Sequence, residues 1–248
     1  FYQNQMEALA NIENQVNTAI SREEQTGIPA YLVDESGYLK LMQDSGADTY
    51  DTLLVLAGVI LCCCGIFARE NTFGTRKMLR ICPNGNRLRL DKLLLSVLVS
   101  VVIAAGVYGA RLAIVCKDYL LQYAEAPVQS IMVFQNYPYR LTLLQYLLWL
   151  FGLRLLGALI AGLMAAAVSA VSRSDSVAMA LGAAVLIAPV AAAEMGASIL
   201  QSISLYPLLG GNAMMQAPFY FQMIYAVFGL LFAVGSIFLV RRQWGHQG

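Results

Sequence analysis

Charge is what this chain has least of. Asp, Glu, Lys and Arg make up 12% of its 248 residues, while 58% are hydrophobic and mean hydropathy is +0.62. A soluble domain carries roughly 25% charged residues. The deficit excludes a water-soluble globule and fits a polytopic membrane protein. A net charge of +1 gives no bulk electrostatic case for nucleic acid. The single histidine, His246, sits in the tail, which argues against histidine-based catalysis and metal binding. The chain lacks G-x-x-x-x-G-K-[ST], so it binds no nucleotide by that route; H-E-x-x-H, G-x-S-x-G and C-x-x-C are also missing. No catalytic site, metal or cofactor is therefore expected in this chain. The five cysteines are an odd number without an obvious pairing. Cys62, Cys63 and Cys64 lie within an apolar run, where cysteine behaves as a small apolar residue; reversible palmitoylation is the alternative.

Long apolar runs are abundant. Five approach or exceed the roughly 20 residues a helix needs to cross a bilayer: about 53–68, 93–115, 141–171, 177–205 and 217–240. The alternation of a barrel strand is absent, and helices are the remaining way to satisfy backbone groups in lipid. The expected fold is an all-α polytopic membrane protein. The first run is short, so Tyr50 and Thr52 are recruited at the interface. The third and fourth are longer than needed, which implies tilt, a kink or a surface extension.

Basic residues orient these spans. Residues 68–92 form a basic island holding Arg69, Arg76, Lys77, Arg80, Arg87, Arg89 and Lys92 against Glu70 and Asp91. Lys and Arg are retained on the cytoplasmic side, so this loop is read as inside. Arg173, between the third and fourth spans, and Arg241-Arg242, after the fifth, agree. Residues 1–52 carry Arg22 and Lys40 against Glu7, Glu13, Glu23, Glu24, Asp34, Glu35, Asp44, Asp48 and Asp51. Tyr137, Tyr139, Tyr206, Phe219 and Tyr220 sit near outer boundaries, where amphipathic rings belong. The expected division is an extracytoplasmic segment at 1–52, a transmembrane domain at 53–240 with a cytoplasmic loop at 69–92, and a cytoplasmic tail at 241–248.

Five spans with the C-terminus inside leave residue 1 outside, and a hydrophilic segment of about 50 residues needs something upstream to carry it across. Either a further span precedes it, giving six spans with both ends inside, or a signal peptide has been cleaved. Within the segment, Met6, Leu9, Ile12, Val16 and Ile20 recur at helical spacing, and Gly27 and Pro29 end the helix. Tyr31–Val33 and Tyr38–Met42 flank Asp34-Glu35-Ser36-Gly37 as a short hairpin. The segment is a structural stalk or a lid that contacts substrate.

In the basic loop, Glu70 to Arg80 suits a short helix along the inner interface, with Phe73, Lys77 and Arg80 on one stripe. Glu70 at its N-terminal end and Arg80 at its C-terminal end suit the helix dipole, and Pro83 with Asn84-Gly85 stops it. By charge alone the loop reads as a juxtamembrane anchor for anionic lipid. Its spacing says more. From Glu70 it runs E-x-x-x-G-T through Gly74 and Thr75, then Leu79, Pro83, Arg87 and Lys92. This resembles the cytoplasmic loop between spans two and three of ABC type-2 export permeases. There E-x-x-x-G-T is followed by apolar residues, a Pro nine residues after the Gly, an Arg, and a Lys opening the next span. Arg87 falls about one residue late here.

The close match covers about 25 residues. It implies that Glu70, Phe73, Gly74, Thr75, Arg76, Lys77, Leu79, Arg80, Pro83 and Arg87 couple the spans to a separate ABC ATP-binding subunit, which holds ATP and Mg. It also implies a second permease copy or homologue as partner.

Two charges lie deep in the apolar runs. From the rise of 1.5 Å per residue, Arg154 lies roughly 13 Å into the third span and Glu194 roughly 16 Å into the fourth. Such charges face the bundle interior and often mark pathways. Arg154–Glu194 is one pairing; Arg111, near the outer end of the second span, is a rival partner for Glu194 or snorkels to the interface. Gly152, Gly157, Gly162 and Gly182, with many alanines, give the third and fourth spans small faces for close helix packing. Tyr206 to Asn212 and Pro218 follow, and in the resembled family this place holds short re-entrant helices at the outer face.

The expected function is the permease subunit of an ATP-driven exporter in the cytoplasmic membrane, moving an amphipathic or hydrophobic substrate. The alternative class is an energy-independent membrane protein: a channel, a secondary carrier or an assembly scaffold. A carrier favours internal repeats and midplane acids; no repeat is seen, and Glu194 is the one acid deep in a run.

Overall fold

The computed structural model describes residues 10, 12–14, 16, 17, 20, 21, 35–42, 46–75, 78, 85–119, 121, 123–134, 137–194 and 205–245; of these, the side chains of residues 35, 46, 47, 86, 193, 194, 213, 244 and 245 are outside the description. Among the described residues the elements are α1 (Glu35–Met42), α2 (Gly46–Cys63), α3 (Gly65–Thr72), α4 (Gly85–Asp118), α5 (Leu143–Val171), α6 (Asp175–Gly182), a wider-pitched segment at Ala183–Ile187, α7 (Ala188–Glu194), α8 (Tyr206–Gly210), α9 (Asn212–Gln216) and α10 (Phe219–Gly245). No strand occurs among them; the nearest approach to one is a lone antiparallel bridge between Pro127 and Thr142. Five stretches are helical, long and apolar enough to cross a membrane: Asp48–Thr72, Arg87–Asp118, Leu143–Val171, Asp175–Ala192 and Phe219–Gln243. The protein is an all-α multi-pass membrane protein.

Compactness divides the chain into Phe1–Gln43 with Leu112–Trp149, and Asp44–Arg111 with Leu150–Gly248. The boundary expected at residue 52 falls inside α2, which begins at Gly46. The physical reason is that Asp48, Thr49 and Thr52 are buried and take their place on the helix that continues into the first span.

In the first unit, the described residues of 10–21 are helical, with Ile12 and Ile20 exposed; Met6, Leu9 and residues 22–34 lie outside the described residues. The hairpin arm expected at Tyr38–Met42 is instead helical, in α1. An alternating strand would bury Tyr38, Lys40 and Met42 together. The structure buries Tyr38, Leu41 and Met42 and leaves Lys40 exposed, so the helical period prevails. Lys40 lies over the Tyr119 ring at 4.8 Å. The connection 123–142 folds around an aromatic cluster. Tyr146 packs 5.6 Å from Phe134 and from Tyr137, and the Gln129 amide donates to the carbonyls of Tyr137 and Tyr139 at 3.2 and 2.8 Å. Thr142 and Gln145 open α5 with a reciprocal cap: each backbone N–H donates to the other's side chain, at 3.1 and 3.2 Å.

In the second unit, small residues set the helix spacing. A Cβ on Gly162 would lie 2.9 Å from Ser100 Cβ and 3.0 Å from the Ser96 carbonyl, one on Gly182 2.7 Å from Cys64 Sγ, and one on Gly157 3.0 Å from the Leu209 nitrogen. Ser96 Oγ donates to the Gly162 carbonyl at 2.8 Å. Gly152, by contrast, faces open space. The fourth span carries the irregularity its length suggested. Pro189 has no N–H and its ring opposes the carbonyl four residues back, at Val185; the turn widens over Ala183–Ile187 to accommodate it. Leu94, Leu98 and Val102 on α4, and Leu230, Val234 and Phe238 on α10, are exposed. Such surfaces suit lipid, whose tails are as apolar as leucine.

The expected helix at Glu70–Arg80 does not start at Glu70. That residue ends the preceding helix, in the last turn of α3, and Gly74 follows in the left-handed region at φ 70°. A residue in that conformation just past a helix end terminates it, and glycine adopts it without a Cβ penalty. The dipole argument is thereby reversed: Glu70 sits at a C-terminal end, where a carboxylate is disfavoured. Met78 is helical; Arg76, Lys77, Leu79, Arg80 and Pro83 lie outside the described residues.

Candidate functional site: a buried charge network

The second unit contains a cluster of buried and part-buried charges from three helices, α2, α4 and α5, with neutral polar groups from α8 and α9. Asp48 stands in the first turn of α2, where a carboxylate suits the helix dipole, and it is 1% exposed. Its Oδ1 accepts from Arg154 Nη2 at 2.9 Å and from Arg111 Nη1. Its Oδ2 accepts from the Asn212 amide at 2.8 Å. Asp51, one turn along the same face, accepts from Arg111 at 2.7 Å. Arg154 is 4% exposed; its Nε donates to the Gly210 carbonyl at 3.0 Å, and its guanidinium lies 4.7 Å over the Tyr108 ring. Tyr108 in turn donates to the Leu209 carbonyl at 2.9 Å.

This geometry follows from local structure. Tyr108 and Arg111 share a face of α4 at a spacing of three, as Asp48 and Asp51 do on α2. Gly211 joins α8 to α9 at φ 73°, a left-handed turn that suits glycine; it leaves the Gly210 carbonyl on Arg154 and the Asn212 amide on Asp48. Two arginines face two aspartates, so the formal charges cancel. A buried ion pair is tolerable only when its remaining polar atoms are also bonded; the Gly210 carbonyl serves Arg154 and the Asn212 amide serves Asp48. Chemically, the cluster can hold the ends of several spans in one arrangement. Among the described residues no group of three His, Cys, Asp or Glu is placed to hold a metal.

Arg154 and Arg111, singled out in the sequence, therefore meet through a shared carboxylate. The acidic partner the structure gives Arg154 is Asp48; the Glu194 side chain lies outside the described residues. Sequence reasoning missed Asp48, Asp51, Tyr108 and Asn212. The two aspartates sit in an acid-rich stretch that reads as solvated, and their helical spacing just before an apolar run was the available signal.

At the other end of the first span, the described motif residues form a second cluster. Glu70 pairs with Lys92, the first and last charges of the motif. Lys92 also donates to the Ile66 carbonyl at 3.4 Å and lies over the Phe67 ring. Ser169 Oγ on α5 accepts from the N–H groups of Phe67 and Ala68 at 2.9 and 3.0 Å, Asn71 donates to the Ser172 carbonyl at 2.6 Å, and Arg69 pairs with Asp175 at 3.1 Å. Phe73, Gly74, Thr75 and Arg87 are exposed.

Fold and site define a helical multi-pass membrane protein with an internal charge network. Comparison with family models, with characterised proteins and with solved structures finds no match.

Proposed function

We propose that this chain is the permease subunit of an ATP-driven exporter of the ABC type-2 kind, moving an amphipathic or hydrophobic substrate across the cytoplasmic membrane. In this reading the loop at 69–92 is cytoplasmic and meets a separate ATP-binding subunit, the C-terminus is inside, and residues 1–52 begin outside. The observation that carries the proposal is the Glu70–Lys92 pair. The first and last charges of the motif are joined, so the loop is clamped at its base. Phe73 and Met78 stand exposed beyond the clamp as a surface for a partner. A push on the loop would reach α3 and α4 together, and α5 and α6 through Ser169, Ser172 and Asp175. The charge network stands roughly 33 Å along the first span, from 22 residues at 1.5 Å each, and would be what such a push rearranges.

The test is co-purification of the chain, with any upstream span restored, with the ATPase encoded beside it. Binding that Glu70→Ala and Gly74→Trp weaken supports the proposal. A stable permease that captures no ATPase points to a scaffold or carrier instead. Labelling of single cysteines at positions 74 and 173 in intact cells and in inverted vesicles tests the orientation.

A further inference from the structure

An apolar groove of about 370 Å³ runs along the second unit between α5, the α6 region and α10, lined by residues including Val168, Val171, Leu181, Val185, Gly235 and Leu239, with Ser236 beside them. One end carries positive charge. Arg173 follows Val171 by two residues. Arg242 lies on the stripe that Gly235 and Leu239 line, at helical spacings of four and three, with Arg241 beside it; all three arginines are exposed. The acid nearest in sequence, Asp175, is paired with Arg69, which leaves this mouth of the groove net positive.

We propose that the groove binds one anionic phospholipid, with an acyl chain between α5 and α10 and the phosphate at Arg173 and Arg242. An apolar groove in a bilayer selects nothing by itself, because lipid tails and leucine are equally apolar. Shape holds the chain, and selection comes from the arginines at the mouth, as basic pockets between membrane helices select acidic headgroups. Gly235 offers an independent handle. An added Cβ there meets no atom within 4 Å, so a leucine fills the groove without disturbing the helices.

Native mass spectrometry of the purified full chain, offered phosphatidylglycerol or phosphatidylcholine in mixed micelles, tests this. One retained phosphatidylglycerol per chain is expected, in preference to phosphatidylcholine. Arg173→Gln and Arg242→Gln should each lower that preference roughly fivefold. Gly235→Leu should remove retention of both lipids, while Gly106→Leu, also in open space, should not. Equal retention of the two lipids by the unaltered chain, or full retention by Gly235→Leu, overturns the proposal. So does a change of oligomeric mass on Gly235→Leu, which would make the groove a contact between copies.

Discussion

Arg154 and Asp48, 106 positions apart in the chain, meet at 2.9 Å with both side chains almost wholly removed from solvent. The same carboxylate also receives Arg111, so one aspartate ties the α4 and α5 arginines together while Asp51 supplies the second negative charge. Replacing Asp48 by Ala leaves the buried Arg154 and the part-buried Arg111 with Asp51 as the remaining carboxylate among the described side chains, and the expected loss of stability is about 3–5 kcal/mol. A double-mutant cycle of Asp48→Asn with Arg154→Gln, read by unfolding in mixed micelles, should give a coupling of about 1–3 kcal/mol. Simple additivity would mean the contact does no energetic work. Running the cycle again with Glu194→Gln asks whether that acid shares the load.

The loop clamp makes a separate expectation. Gly74 sits at φ 70° with open space around its Cα, so Gly74→Ala is penalised by backbone conformation alone, by about 1–2 kcal/mol. Gly74→Asn should recover most of that, since asparagine tolerates the left-handed region. Equal stabilities for the glycine, alanine and asparagine forms would show that the α3 terminus does not depend on this turn.

Why the spans were legible and the network was not is a matter of range. A run such as 93–115 is apolar at nearly every position, and lipid leaves a backbone little choice but a helix. The excess length of the fourth run likewise suggested an irregular span, and the wider-pitched turn lies at Ala183–Ile187. Asp48 is different: its chemistry comes from Arg111, Arg154 and Asn212, whose positions depend on how α4, α5 and α9 pack. In sequence it is one acid among nine in residues 1–52. Glu70 was placed at the wrong end of a helix: the helix of the first span continues through the polar Arg69–Thr72 turn, and Gly74, not Glu70, marks the boundary.

The small faces of the third and fourth spans were read from composition, and the structure separates the glycines that matter. Gly162→Ala drives a methyl against Ser100 and the Ser96 carbonyl, and Gly182→Ala against Cys64. Overpacking of this kind should cost about 1–3 kcal/mol each. Gly152→Ala meets open space and should be neutral or slightly stabilising through better helix propensity. Thermal unfolding of the three variants side by side decides it. A Gly152 variant as damaged as the other two would undo the contact argument.

Tyr137 sits in the aromatic cluster of the first unit, against Phe134, Tyr139 and Tyr146. Burial, with a smaller contribution from Tyr139, pushes its phenol from an ordinary 10.0 up to about 12. The folded state therefore keeps a proton that the unfolded chain has already lost. Linkage then makes stability fall as pH rises from about 10 to about 12, with the contribution intact below that window. Tyr137→Phe removes the titrating group and should flatten this part of the stability profile, while the difference spectrum against the unaltered protein should show one late phenolate. A Tyr137 phenolate appearing near pH 10 together with the exposed tyrosines would mean that water reaches the ring.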